Sequence, residues 1–237
     1  TATSGVGISR VDAYQAYLEH HPEEWALLDT LCWMCISRFY RDPSVFQLLE
    51  NEVLPQLTQL ALERKENELR CWSAGCAGGE EPYTLAIIWT QRFASKFPAI
   101  DFHVVATDVD PAAIQRAQHG CYHPSSLKEL PAEWRTQAFF ASGKEFCLKH
   151  EYRAQVNFMV QDIREAMPHG AFHLILCRNL VFTYFDESSQ IKILRTLTSK
   201  ILPGGGLIIG KLETLPQRDW ALEPWSIKMG VYRKRLA

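Results

Sequence analysis

A glycine-rich stretch at residues 72–86, WSAGCAGGEEPYTLA, combines two features with opposing chemical meaning. A glycine-rich turn that opens a helix usually holds a phosphate, because backbone N–H groups and the positive helix end face the ligand. Here two carboxylates, Glu80 and Glu81, follow the glycines directly. Acidic residues suit a first helical turn that has Pro82 near its start, but they repel a phosphate. The stretch therefore indicates either an ordinary acidic helix start or a pocket for a cation.

Polar side chains also follow the other predicted strands at the points where those strands end. From residue 69 onward, short β-rich runs alternate with helical stretches, which is typical of βαβ units and a parallel sheet covered by helices. Ligands of such sheets bind at the carboxyl ends of the strands. The candidates at these ends are Gly75, Glu81, Asp108, Asp162, and Asn179 beside Arg178.

Asp108 is the candidate partner for two ribose hydroxyls, which need paired acceptors. Its alternative role is to cap the helix near Pro111, which Asp110 fits better. Asp108 lies 33 residues after Gly75, whereas dinucleotide folds place this acid roughly 20 residues on. The turn also lacks the GxGxxG pattern, and a pyrophosphate would meet Glu80 beside it. S-adenosylmethionine, a nucleoside with a positive charge and no phosphate, fits these residues better.

Composition excludes several classes of function. The 237 residues are 47% hydrophobic, and 25 basic residues face 27 acidic ones, so no global basic field predicts binding to nucleic acid or to an anionic membrane. Apolar runs are much shorter than the roughly 18 residues of a membrane span. Seven scattered cysteines predict buried thiols in a reducing, cytoplasmic setting. For Cys32 and Cys35, a CxxC inside an apolar run, buried thiols are favoured over a zinc site.

Four stretches of the chain resemble the CheR-type chemotaxis receptor methyltransferases, which esterify glutamate side chains. They are RFYRDPSVF, WSAGCAGGEEPYTLA, ATDVDPAAIQRAQHGCYHPSSLKELP and LILCRNLVFTYFD, and the resemblance extends from about residue 37 to 234. It implies a Rossmann-like class I methyltransferase fold with a helical N-terminal region and an inserted antiparallel β subdomain. We expect the helical region over residues 1–66, the methyltransferase domain over 67–237, and the β subdomain at about 139–158.

The resemblance also implies the site residues and a cofactor, S-adenosylmethionine, with S-adenosylhomocysteine as product and no metal. The implied cofactor contacts are Ser37, Arg41, Glu81, Asp108, Asp162, Ile163, Arg178 and Asn179. The family's arginine at the position of Arg41 lies close to the transferred methyl group, so Arg41 is also expected to be catalytic. The alternative for Arg41 is an ion pair with Asp42 or a neighbouring acid.

Three departures from the family's pattern bear on catalysis and substrate. The family's catalytic tyrosine follows the asparagine of its CRN block by four positions, where this chain has Thr183, and Tyr184 follows at five. A bulge after the strand would restore Tyr184, which is otherwise a packing aromatic. Lys211 stands in the family's GxSE block, either at the substrate mouth or as a solvated strand end. Residues 1–66 carry ten acidic and five basic residues, whereas the family offers basic residues there to an acidic receptor.

These residues predict methyl transfer to a carboxylate of a protein, chemoreceptor-like or otherwise involved in signalling, by a monomer without nucleic-acid or membrane partners. A glutamate side chain, with a pKa near 4.3, is already ionised at neutral pH, so no general base is needed. The enzyme must align the carboxylate and strip it of water, and the guanidinium of Arg41 suits that task. The alternatives are another protein or small-molecule nucleophile, and a sensor that binds the cofactor without catalysis.

Overall fold

The chain forms two compact units, residues 1–36 and residues 37–237. The structure, a computed structural model, describes residues 11–21, 37–216 and 221–236. In the first unit it shows one helix, α1 (Val11–His20). The sequence predicts a division after residue 66, whereas the structure groups residues 37–66 with the sheet.

The second unit begins with helices and continues with alternating strands and helices. Its helices are α2 (Pro43–Leu48), α3 (Leu54–Glu63), α4 (Glu80–Arg92), α5 (Pro111–His119), α6 (Ala132–Ala138), α7 (His150–Arg153), α8 (Val181–Tyr184) and α9 (Glu187–Lys200). A π-helical turn, Leu49–Val53, joins α2 to α3, and 3-10 turns cover Pro124–Leu127 and Ile227–Met229. Its strands are β1 (Glu68–Ala74), β2 (Asp101–Asp108), β3 (Cys121–Tyr122), β4 (Phe139–Ser142), β5 (Glu145–Leu148), β6 (Val156–Val160), β7 (Phe172–Cys177), β8 (Ile201–Ile209), β9 (Leu222–Ser226) and β10 (Val231–Lys234).

A seven-stranded sheet in the order β6-β2-β1-β7-β8-β10-β9 is the framework of this unit. The strands from β6 to β8 are parallel to one another, and β10 is antiparallel to both of its neighbours. Strand order reverses beside β1, because the chain continues to β2 on one side and returns through β7 on the other. This arrangement confirms the predicted α/β fold, and it places the ligand-binding crevice at the carboxyl ends of β1 and β7.

A small three-stranded antiparallel sheet, in the order β3-β5-β4, confirms the predicted β subdomain. Its composition differs from the predicted segment 139–158, because β3 comes from earlier in the chain and β6 pairs with β2 in the large sheet. Cys121 and Cys147 lie opposite each other in β3 and β5 and form a disulfide.

The disulfide corrects the expectation of free thiols at these two positions, because an antiparallel register places side by side two residues that are 26 positions apart. Elsewhere the expectation holds. The described cysteines that remain free, Cys71, Cys76 and Cys177, are all buried. Cys32 and Cys35 lie outside the described residues. None of the helices over 11–21, 37–216 and 221–236 is long and apolar enough to cross a membrane.

The helices that precede the sheet belong to its hydrophobic core. Phe46 of α2 and Leu57 of α3 are buried in one cluster with Leu69 of β1 and Leu174 of β7. This packing fixes α2 and α3, which lead into β1, and with them the preceding segment that contains Arg41.

Replacing Leu57 by alanine should destabilise the whole unit, because its side chain is 1% exposed and its loss leaves a cavity between α3 and the sheet. We expect a loss of about 2–5 kcal/mol in the free energy of unfolding, measured by urea titration. Leu62, in the same helix but 38% exposed, is the matched control. Leu62→Ala should change stability by no more than about 0.5 kcal/mol. Equal losses in both variants would contradict the packing described.

Candidate functional site

The glycine-rich turn between β1 and α4 has a backbone that only glycine fits at its first position. Gly75 adopts a positive φ of 75°, and a Cβ atom there would lie 2.7 Å from Cδ2 of Leu180. Leu180 follows β7, so the turn lies directly against the neighbouring strand end. Gly75 was predicted at the cofactor site, and the structure places it at the reversal of strand order.

Four N–H groups of this turn are bonded within the protein. Those of Gly75 and Cys76 donate to the Thr107 carbonyl at 2.8 and 2.9 Å, and that of Gly79 donates to the Cys76 carbonyl at 2.9 Å. The Ala77 N–H donates to a carboxylate oxygen of Asp108 at 2.8 Å. A phosphate cradle needs such donors free to face the ligand. These four donors are therefore not available to a phosphate.

Asp108, at the end of β2, keeps acceptor capacity for a ligand. Its Oδ2 accepts from the Ala77 N–H, and its Oδ1 accepts from the Asp110 N–H at 3.0 Å. A carboxylate oxygen accepts two hydrogen bonds, so one acceptor position remains on each oxygen. Asp110 caps α5 through the Ala112 N–H at 2.8 Å, so Asp108 is not the helix cap.

The buried guanidinium of Arg178 joins two carboxylates, those of Asp42 and Glu81. Its side chain is 3% exposed and bonds to Asp42 at 2.5 Å and to Glu81 at 3.1 Å. It also donates to the backbone carbonyl of Arg41 at 3.3 Å. Glu81 accepts a further bond from the Ser73 hydroxyl at 2.8 Å. The guanidinium and two carboxylates carry a net charge of −1 when ionised, which favours a cation nearby.

The segment that carries Arg41 has an unusual backbone on both sides of that residue. Tyr40 and Asp42 adopt positive φ angles of 60° and 63°, a conformation that costs about 1–3 kcal/mol for each residue other than glycine. The Tyr40 N–H is fixed on Thr84 of α4 at 3.0 Å, and Asp42 is fixed on Arg178. Asp42, which the sequence offered as an alternative ion-pair partner of Arg41, pairs with Arg178. Sequence reasoning had missed this role of Asp42.

Glu213 is a second residue that the sequence did not assign to the site. Its buried carboxylate accepts from the N–H groups of Gly210 at 2.5 Å, Asn179 at 2.9 Å and Leu180 at 3.1 Å. It also accepts from the Thr183 hydroxyl at 2.6 Å. Glu213 therefore ties the loop after β8 to the loop after β7. The sequence signal for this role is its position, because Glu213 is the glutamate of the block that matches the family's GxSE pattern.

The two candidate positions for a catalytic hydroxyl face different surroundings. Thr183, four positions after Asn179, is bonded to Glu213 and supports the loop. Tyr184 is 75% exposed at the end of α8, so it is not a packing aromatic. Its hydroxyl lies at the surface, whereas the hydroxyl of Thr183 is bonded to Glu213.

The residues after β6 lie beside Asp108, because the Gln161 N–H donates to the Asp108 carbonyl at 2.9 Å. Asp162 is held by Arg164, which bonds to both carboxylate oxygens at 2.5–3.0 Å and lowers the pKa of Asp162. Ile163 is buried among the apolar side chains below the edge. The remaining predicted contact, Ser37, hydrogen-bonds to Glu80.

The chain is similar to known proteins over most of its length. The family model described as CheR methyltransferase, SAM binding domain, matches residues 36–231. A chemotaxis protein methyltransferase of Listeria innocua serovar 6a is 32% identical over 202 residues, which span 84% of this chain and 74% of the relative. Its counterpart in Listeria monocytogenes serovar 1/2a is 31% identical over 202 residues, with the same coverage of 84% and 74%.

Among solved structures, the N-methyltransferase NodS of Bradyrhizobium japonicum in complex with S-adenosyl-L-homocysteine aligns with 16% identity and a TM-score of 0.45. The alignment covers 85% of this chain and 91% of NodS.

Replacing Arg178 by methionine should strongly destabilise the second unit, because Glu81 would stay buried without its counter-charge. We expect a loss of about 3–5 kcal/mol in the free energy of unfolding at neutral pH, measured by urea titration. Arg195→Met, at an exposed position of α9, is the matched control and should be nearly neutral. A stability loss below about 1 kcal/mol, the value typical of a surface ion pair, would contradict the buried cluster.

Proposed function

Since the chain belongs to the CheR family of S-adenosylmethionine-dependent methyltransferases, we propose that it methylates glutamate side chains of a signalling protein, with S-adenosylhomocysteine as the second product. The observation that carries the cofactor part is the carboxyl edge of the sheet. The N–H groups there are used internally, whereas Asp108 keeps two acceptor positions. This edge suits a ligand that donates hydrogen bonds through hydroxyls and brings a positive charge.

The residues present fit that cofactor. Asp108 would hold the two ribose hydroxyls, and the net charge of the cluster around Arg178 would favour the positive end of the molecule. Asp162, Ile163 and Asn179 lie at neighbouring strand ends, where the rest of the nucleoside would be held. When bound, S-adenosylmethionine supplies an electrophilic methyl group on a positively charged sulfur. No metal is needed for this chemistry.

The chain's own contribution is to orient and partly desolvate the acceptor carboxylate. Arg41 lies beside Asp42 and shares the network of Arg178 through its backbone. A guanidinium binds a carboxylate through two parallel hydrogen bonds, which would direct one oxygen toward the methyl donor. Tyr184 would add a weaker hydrogen bond at the rim, without lowering the reactivity of the carboxylate as a second ion pair would.

A protein acceptor is supported by the relatives, which are chemotaxis protein methyltransferases by name. The acidic surface expected for residues 1–66 would repel an acidic receptor helix, so the acceptor is proposed to present basic residues around its glutamate. The second candidate function is methylation of a nucleophile other than a glutamate carboxylate, because Thr183 stands where the family has its tyrosine.

Calorimetry should show one S-adenosylhomocysteine bound per chain, and Asp108→Asn should weaken that binding at least tenfold. The reason is that an amide offers one acceptor oxygen where the carboxylate offers two, so a ribose hydroxyl loses its partner. Asp110→Asn is the matched control, because asparagine caps a helix as well as aspartate does. Tighter binding of NAD than of S-adenosylhomocysteine would contradict the proposed cofactor.

Arg41→Ala should lower the single-turnover rate of methyl transfer roughly a hundredfold, because the acceptor carboxylate is no longer aligned. The affinity for S-adenosylhomocysteine should change far less. Arg41→Lys should restore little of the rate, because a point charge cannot form the two-pronged contact. The assay follows labelled methyl groups transferred to a glutamate-containing chemoreceptor fragment and released by mild alkali as methanol, which is diagnostic of an ester.

Arg38→Ala is the control for this experiment, since Arg38 lies in the same segment and forms only an exposed ion pair with Glu129 at 3.3 Å. Its rate should equal that of the wild type. An unchanged rate in Arg41→Ala would remove this residue from the mechanism. Alkali-stable methylation would instead favour a nucleophile other than a carboxylate.

A further inference from the structure

Glu80, which opens α4 beside Glu81, has a carboxylate oxygen that the fold leaves unused. The residue is 8% exposed, and its Oε2 has no hydrogen-bond partner among the described residues. The carboxyl group does take a hydrogen bond from Ser37. A buried acceptor without a partner is costly, so such a group calls for an explanation.

The backbone beside Glu80 is shaped to receive this carboxylate. A Cβ atom on Gly78 would lie 2.9 Å from Oε2 of Glu80, so a side chain at that position would collide with the carboxylate. The Gly78 carbonyl in turn accepts the hydroxyl of Tyr122 at 2.8 Å, which fixes the turn on β3. The absence of a side chain at Gly78 therefore leaves room for the carboxylate of Glu80.

A cavity of about 570 Å³ opens above this carboxylate, between α5, the turn after β1 and the small sheet. Gly78, Glu80 and Tyr122 are its buried lining residues, while Arg116, His119 and His123 are exposed ones. The residues that form the candidate cofactor site, Asp108, Glu81, Arg178 and Asn179, do not line it. The cavity thus differs in its lining from the candidate cofactor site, and its volume is of the size that small ligands occupy.

The charges of the cavity change from its floor to its rim. The floor has the carboxylate of Glu80, whose pKa is raised by burial, a shift that its own backbone N–H, Ser37 and Arg116 partly oppose. At the rim, the Arg116 side chain is 60% exposed, and its guanidinium lies 3.9 Å from the carboxylate of Asp110. Two histidines stand with it there, and Glu145 is the one acid among the exposed lining residues. The floor favours an ammonium group, and the rim favours an anion.

We propose that this cavity is a second binding site, which takes the head group of an α-amino acid. The ammonium group would bind the open oxygen of Glu80, and the carboxylate group would bind Arg116 at the rim. A ligand with both charges satisfies the buried acceptor and the exposed guanidinium together, whereas a simple amine or a simple acid satisfies one of them.

Three matched probes test this site: L-alanine with both charges, ethylamine with the ammonium alone, and propionate with the carboxylate alone. Each is titrated to 20 mM (about the range for weak small-ligand binding) while the backbone amide signals of Gly78 and Tyr122 are followed by NMR. L-alanine should shift both signals in a saturable manner, ethylamine should bind at least tenfold more weakly, and propionate should not bind. Absence of binding by L-alanine, or equal binding of ethylamine or propionate, would overturn the proposal.

Glu80→Gln removes the charge with little change in shape and should weaken L-alanine binding at least tenfold. Arg116→Gln changes an exposed side chain, so the fold is preserved, and it should abolish the preference for L-alanine over ethylamine. Glu151→Gln, at an exposed position outside the cavity, is the control and should bind like the wild type. Unchanged L-alanine binding in Glu80→Gln would overturn the site.

The affinity for S-adenosylhomocysteine separates this site from the cofactor site, because that cofactor also carries an amino-acid end. It should be the same in Glu80→Gln and in the wild type. A tenfold loss would mean that the cavity holds the end of the cofactor itself, which would overturn a second site and leave the proposed methyl transfer standing.

Discussion

The buried guanidinium of Arg178 is the contact on which the rest of the site depends. It follows β7 directly and pairs with Asp42, 136 residues earlier, and with Glu81, 97 residues earlier. Charges removed from water must be paired, so the three groups stay together or the unit loses stability. The cluster thereby fixes the segment of Arg41, the start of α4 and the end of β7 relative to one another. It also explains how the left-handed backbone at Asp42 is maintained.

Glu213 complements this cluster through backbone contacts instead of charges. It binds three N–H groups in the loops after β7 and β8, including that of Asn179. Backbone donors place no demand on residue type, whereas the fourth donor is the hydroxyl of Thr183. Threonine at that position gives the loop a support, and it takes the place that the family gives to its tyrosine. The catalytic hydroxyl proposed above is accordingly that of Tyr184, which is 75% exposed.

The sequence predicted the ends of the strands well, because an apolar run that stops at a polar residue is a local pattern. Asp108 and Asn179 were identified in this way. The partners of these side chains were not predictable, since they depend on register between segments that are distant in the chain. Asp42 on Arg178 and the disulfide between Cys121 and Cys147 illustrate this limit, the latter because cysteine spacing contains no information about antiparallel register.

Two adjacent carboxylates at the start of α4 serve different purposes because successive residues of a helix point about 100° apart. Glu81 is directed to Arg178, and Glu80 is directed to the cavity beside the small sheet. The N–H groups of the preceding turn are meanwhile satisfied by carbonyls and by Asp108. In a phosphate-binding turn the protein offers donors to its ligand. Here those donors are bonded within the protein, and Asp108 offers acceptors to the ligand instead. This inversion is the physical reason that this sheet edge favours hydroxyls and cations over phosphates.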